Sequence, residues 1–408
     1  MSFLGINEQY EDGQDNLGMV LFIAFTGFGA ILFTLKDFAK YIRRVHPFFY
    51  WVPLLFVADF AIETLFMSGE VYTTAFKAFQ IFLVYSVPAI FIGANVAYED
   101  ELMKTFKFIH LFTIVISVGI LISIPQSLTI GRVVLGSTNY QEISYMSAFS
   151  VGVLLYKLLF KPNFVFPFLK ENYFKYIEIF LLIVLGVNVF LSGGRGGVLL
   201  LIVNIVVIFV LYFETRKMLA KGLLYIGIVF LILIPIIGSV IASNDELSAI
   251  FEYGFGRAFE YVSESGGLDL EGASDRDLHY KWAVERIGEN AFGYGFFRSY
   301  GLFVYPHNFF LEVVLDGGII YLLFVILISV FCFNKLKMMI KENVDFYCFI
   351  PLVTYPVVML FFSSTYKHCG MFWFCLSFIM SYIIRSRKLN NETNAKYSNN
   401  CKIVKRVI

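Results

Sequence analysis

Apolar residues along this 408-residue chain fall into long runs, not into the short alternating or one-faced patterns of a water-soluble fold. A helix crossing the hydrocarbon core of a bilayer needs about 20 predominantly apolar residues. On that measure the chain predicts about eleven spans. The first eight fall near 17–36, 47–67, 75–97, 106–124, 143–160, 176–192, 197–213 and 222–242, and three more near 308–333, 347–364 and 370–385. Between the eighth and ninth lies the one long polar segment, 243–306. The predicted class is therefore an all-α, polytopic transmembrane protein with one large extracytoplasmic loop. It divides into an N-terminal bundle (1–242), the loop (243–306), C-terminal membrane helices (307–388) and a cytoplasmic tail (389–408).

Composition agrees with this pattern. Hydrophobic residues make up 58% of the chain and charged residues only 15%, against roughly 45–50% and 25% in soluble domains. So few charges could not cover the surface of a soluble chain of this size, which excludes a soluble enzyme, a disordered protein and a nucleic-acid binder. The five cysteines (Cys332, Cys348, Cys369, Cys375 and Cys401) show no metal-like spacing, and most fall in apolar stretches; they read as small buried hydrophobes. Residues 1–16 carry Glu8, Glu11, Asp12 and Asp15 without a Lys or Arg, so no cleavable signal peptide is expected.

The basic residues set an expected orientation. Alternate connections hold Lys36, Lys40, Arg43 and Arg44; Lys104 and Lys107; Lys157, Lys161, Lys170 and Lys175; Arg216, Lys217 and Lys221; and Lys335, Lys337 and Lys341. The tail adds Arg385, Arg387, Lys388, Lys396, Lys402, Lys405 and Arg406. The other side has only Lys77, Arg132, Arg195, Arg257, Arg276, Lys281, Arg286, Arg298 and Lys367. The lysine-rich side is expected to face the cytoplasm, which places the long loop and the acidic N-terminus outside. Arginine dominates the outer set and lysine the inner one. Charge alone serves the orientation rule, whereas the planar guanidinium grips phosphate or carboxylate with two bonds, so the outer arginines point to an anionic ligand.

Three constellations could carry chemistry. Ser192-Gly193-Gly194-Arg195-Gly196-Gly197 joins two spans on the outer side. It reads either as a glycine-rich anion cradle or as a tight helical hairpin with a snorkelling arginine. In the loop, Ser274-Asp275-Arg276-Asp277-Leu278-His279-Tyr280-Lys281-Trp282 opens a helix running to about Ile287, with Ser274 and Asp277 spaced as a capping pair. That helix would carry Arg276, His279 and Arg286 in one sector, and Gly293-Tyr294-Gly295 marks a turn after it. Finally, Tyr305-Pro306-His307-Asn308 runs into the ninth span, where Asn308, Glu312 and Asp316 form a polar stripe at spacing four. Asp59 and Glu63 repeat that spacing in the second span. Acids at such depth face a cavity or partners inside the bundle, as bases or as pins between helices.

The order of these motifs, with Trp282 and the Gly317-Gly318 pair, resembles the O-antigen ligase and polymerase family of bacterial envelope glycan assembly over about residues 130–335. The resemblance implies a glycosyltransferase of the GT-C type in the bacterial cytoplasmic (inner) membrane, active on the outer face, with no cofactor and no metal. Its implied donor is a glycan on undecaprenyl diphosphate, and a chain-length regulator is a candidate partner. A polymerase passes the growing chain to the next lipid-linked repeat, for O-antigen, capsule or another polysaccharide; a ligase passes it to lipid A-core. The polymerase is the favoured member here, and the ligase the alternative. The resemblance points to Arg195, Arg276 and His307 as catalytic, with Ser192, Gly194, Arg286, Asn308 and Glu312 lining the substrate. About eleven spans is fewer than the twelve or more common in that family. A flippase or transporter is the competing class. It would expose cations to both leaflets, whereas here the spans are nearly free of Lys and Arg and the candidate cations share one side.

Overall fold

The structure, a computed structural model, describes residues 45, 47–130, 140–161, 171–217, 243, 276–298 and 306–386, with the side chains of 124–130, 171–173 and 276–277 excepted. Ten helices follow along the described chain. They are α1 (Phe48–Glu63), α2 (Gly69–Glu99), α3 (Leu102–Ile130), α4 (Tyr140–Phe160) and α5 (Glu171–Leu191). After these come α6 (Arg195–Thr215), α7 (Arg276–Glu289), α8 (Phe309–Glu342), α9 (Val344–Phe362) and α10 (Gly370–Ser386). There is no strand among the described residues.

Seven of these helices are long and apolar enough to cross a membrane, namely α2 to α6, α8 and α9. Helix α10 is a shorter apolar helix, and α1 occupies the predicted second span with 16 residues. The predicted spans at 17–36 and 222–242 lie outside the described residues, as do Arg132, Arg257, Ser274, Tyr305 and Cys401. The other four cysteines are buried and free.

In a bilayer, lipid tails are as apolar as leucine, so close packing and polar ties hold helices together more than burial does. Helix α4 is the central element, packed on α5, α6 and α3, while α9 packs on α4 and α6. Small residues let it do so. Ser144, Ser147, Ala148, Ser150 and Gly152 are buried along α4, and Asn188 of α5 donates to Ser147 Oγ at 2.8 Å. Asn204 of α6 donates to Ala148 O at 3.1 Å and accepts from Thr354 of α9 at 2.6 Å. Isoleucines, leucines and phenylalanines cover the outside, among them Ile320, Leu323 and Leu327 on α8.

Two helices depart from regular geometry. Helix α2 widens into a π turn at Phe82–Ser86. Pro88, which follows, has no N–H to donate, so the ladder there is interrupted. Helix α8 breaks at Gly317 (φ −129°) and Gly318 (φ +71°), leaving a two-turn stub, Phe309–Asp316, ahead of its long membrane portion.

Candidate functional site

The break in α8 frees backbone groups that need partners from outside the helix. The segment after α7 satisfies them. Tyr294 N donates to Leu315 O at 2.7 Å, Gly295 N donates to Asp316 O at 2.9 Å, and Ile319 N donates to Ala291 O at 3.1 Å. Such an approach requires glycine. A Cβ on Gly293 (φ +89°) would sit 2.6 Å from both Asp316 O and Gly318 N. The expected turn at Gly293-Tyr294-Gly295 is thus a plug inserted against a broken membrane helix. It is tied back to α7 by Tyr294, whose hydroxyl donates to Arg286 O at 2.9 Å. Phe296 N donates to Asp59 Oδ2 at 2.8 Å, and Phe297 is fully buried among the rings of Phe56, Phe60, Phe79 and Phe82. Arg298 Nε stands 3.7 Å from Glu63 Oε2. The Asp59–Glu63 pair therefore anchors the loop to α1.

Asn308 caps the α8 stub, its side chain accepting from Phe310 N at 3.0 Å and Leu311 N at 3.3 Å. His307, just ahead of it, is half-buried with φ +50°. Its ring lies 6.4 Å from that of His279 on α7. The polar stripe below faces Lys367, from the loop joining α9 to α10. Lys367 Nζ lies 2.7 and 2.8 Å from the two oxygens of Asp316 and 3.4 Å from Glu312 Oε1. Tyr366 donates to Asp316 Oδ2 at 2.7 Å, and Thr365 donates to Glu312 Oε1. All five side chains are buried. A lysine in that position is expensive unless paired, and here two carboxylates face it.

At the glycine-rich turn, Ser192 is buried and its hydroxyl donates to Asn188 O at 2.7 Å, closing the last turn of α5. The neighbouring glycines serve contact with α4. A Cβ on Gly197 would lie 2.7 Å from the Ser144 backbone carbon, and Gly194 and Gly196 abut Ser144 and Tyr145. The motif is a tight hairpin that leaves Arg195 half-buried at the N-terminus of α6.

One loop connects the two halves. Tyr145, against Gly196, shares a 3.1 Å hydrogen bond with Ser363, and two residues on, Thr365 grips the α8 stub. The chain Arg195 turn–Tyr145–Ser363–Thr365–Glu312 thus links the arginine to the helix tip carrying His307. Arg276 opens α7, its side chain outside the described residues. Arg286 pairs with Glu289 at 2.7 Å and stacks near Trp282, 6.0 Å from its ring centre. Lys367, Tyr366 and Thr365 were not singled out by sequence. The only trace was a lysine set among the outer cations. Among the described residues, no group of three or more His, Cys, Asp or Glu side chains is placed to hold a metal ion.

The fold and these contacts define a polytopic helical membrane protein with a polar centre built where a loop meets a broken helix. Residues 180–326 match the family model described as O-antigen ligase, consistent with the O-antigen ligase and polymerase family. The match supports an enzyme of the ligase or polymerase type, acting in O-antigen-related polysaccharide biosynthesis. No curated protein and no solved structure matches the chain.

Proposed function

We propose that the protein is a polymerase of lipid-linked polysaccharide repeat units, working at the outer face of the bacterial cytoplasmic membrane. The observation that carries this reading is the family match over 180–326, which spans Arg195, Arg276, Arg286, His307 and the α8 stub. The donor is the growing glycan on undecaprenyl diphosphate, and the acceptor is a hydroxyl of the next lipid-linked repeat. The acceptor oxygen attacks the anomeric carbon opposite the diphosphate, the C1–O bond to diphosphate breaks, and the configuration inverts. Negative charge grows on the leaving diphosphate. Arg195 and Arg276 stabilise it without a metal, each in a role where one preorganised donor contributes about 2.7–4 kcal/mol. His307, with an unperturbed pKa near 6.5, accepts the acceptor's proton or bonds the diphosphate.

Deleting the gene and resolving the surface glycan by gel tests this. A polymerase leaves a single repeat on its anchor; loss of every repeat, with lipid-linked polymer accumulating, identifies the ligase. Complementation with Arg195→Ala, present in the membrane at the wild-type level, should restore no ladder. A normal ladder from that variant would remove the diphosphate role from Arg195.

A further inference from the structure

The proposed chemistry uses groups on Arg195, α7 and His307, but not the buried lysine beneath them. We infer that Lys367 is a positioning residue for His307, acting through the α8 stub; this rests on the proposed transferase reading.

The stub is short and its regular ladder stops at Gly317 and Gly318. Apart from its cap Asn308, what holds it comes from segments distant in sequence, so its placement depends on side chains from elsewhere. The loop 363–369 supplies them on one side. Lys367 bonds both Glu312 and Asp316, one turn apart, so a single ammonium fixes the rotation of the stub as well as its height. The ring of Phe309, two residues from His307, packs at 5.8 Å against Tyr366 and 5.9 Å against Phe372. On the other side the plug at 291–295 holds the break and carries α7, whose His279 lies against His307.

Lys367 is itself held from several directions. Ser86, in the π turn of α2, donates to Lys367 O at 2.5 Å. Lys367 N donates to Thr365 Oγ1 at 3.2 Å, and Trp373 Nε1 donates to Tyr366 O at 2.7 Å. The ammonium also faces the rings of Tyr366 and Phe297, at 5.3 and 6.0 Å. Phe297 belongs to the loop that carries the plug, so one lysine meets the stub, the plug segment and the loop reaching Tyr145. The geometry is that of a keystone between the Arg195 side and the His307 side. Its side chain is completely buried, so it supports His307 without meeting substrate.

The experiment uses full-length protein in nanodiscs, supplied with the lipid-linked oligosaccharides extracted from the deletion host. Wild type and Arg195→Ala come first: if wild type makes no polymer, the polymerase reading itself fails. Given an active wild type, the test compares Lys367→Arg with a neutral triple variant, Lys367→Met with Glu312→Gln and Asp316→Asn, and reads the triple variant against Glu312→Gln alone, since Glu312 is also a candidate substrate-lining residue. The triple variant keeps amides for Thr365 and Tyr366 to bond and removes the ammonium together with the two carboxylates it bonds. We expect it to reach the membrane and to lose at least tenfold in kcat, with KM for the lipid-linked donor within twofold. Lys367→Arg should recover part of that loss. Wild-type kcat in the triple variant, or a loss confined to KM, overturns the inference. Should the triple variant fail to assemble, Thr365→Val and Tyr366→Phe decide the matter. Each removes one hydroxyl from the clasp and is expected to lower kcat severalfold at unchanged protein level; full activity in both would overturn it.

Discussion

Two buried ionic clusters stand at opposite ends of the bundle and are built on different plans. At the end away from Arg195, Glu178 of α5 meets Lys157 of α4 at 2.5 Å and His110 of α3 at 2.7 Å, with all three fully or almost fully buried. Lysine and carboxylate balance there, and each of three consecutive helices contributes one residue from a regular turn, Lys157 from the last turn of α4. At the other end, one lysine faces two carboxylates, and neither partner segment is a long helix: Lys367 sits in a loop and the acids on a two-turn stub cut off by two glycines. The first cluster pins helices whose backbones are already determined. The second determines where a short, broken segment lies, and that segment ends at His307. Burying charge is costly in either place, so the difference lies in what the cost secures: registry between helices in one case, placement of a candidate catalytic group in the other.

The sharpest way to break this comparison is to remove each lysine. Lys157→Met or Lys367→Met should destabilise the protein by about 3–5 kcal/mol, by taking the cation from a buried carboxylate. Level in the membrane and thermal stability would report it. Neutralising the partners then separates the clusters. Lys157→Met with Glu178→Gln should recover stability with full activity per molecule, whereas the corresponding change at Lys367 recovers stability but at most about a tenth of the turnover. Equal specific activity in the two rescued variants would erase the distinction drawn here.

A smaller effect is expected from Gly293→Ala. The new Cβ would approach Asp316 O and Gly318 N and force φ +89° on an alanine, a strain of order 1–3 kcal/mol. It should lower Tm and activity together, because the plug holds both the break and α7. Gly186→Ala on α5, where nothing lies within 4 Å of the added Cβ, should leave activity unchanged and Tm the same or slightly higher. If Gly293→Ala behaved like Gly186→Ala, the plug would carry no load.

The smallest effect belongs to a surface pair, an exposed aspartate and a half-buried arginine. Asp100, after α2, lies 3.0 Å from Arg385 at the end of α10. The hydrogen bond from Arg385 holds its carboxyl below the usual range. Because the folded pKa is the lower one, the pair's stabilisation is present above the ordinary carboxylate value and disappears as pH falls through the lowered one. Exposed pairs contribute at most about 1 kcal/mol. Asp100→Asn should therefore cost little near neutral pH, and its Tm deficit against wild type should shrink in acid. A deficit that grew in acid would reverse the assigned direction.

Much of this architecture was legible in the chain itself. Apolar runs of the required length gave helices where residues are described, since a backbone in hydrocarbon has few ways to satisfy its own N–H and C=O groups. The stripe Asn308–Glu312–Asp316 announced by its spacing that one face of α8 meets polar partners, and Asn308 proved to be the cap of that helix. The glycine-rich turn announced close approach, though its neighbour, α4, could not be named. What periodicity could not reach was the partner of the acids. Lys367 lies 51 residues from Asp316, in a short polar loop that looks like any other connection. Nor does Gly317-Gly318 say that the helix breaks there, or that residues 291–295 will fill the gap. Local sequence determined which segments are helices and which of their faces are polar, because those follow from hydrogen bonding and side-chain chemistry within a few turns. Only the tertiary structure decided which buried charges meet, because a charge in an apolar medium takes whichever partner the packing of distant segments brings within about 3 Å.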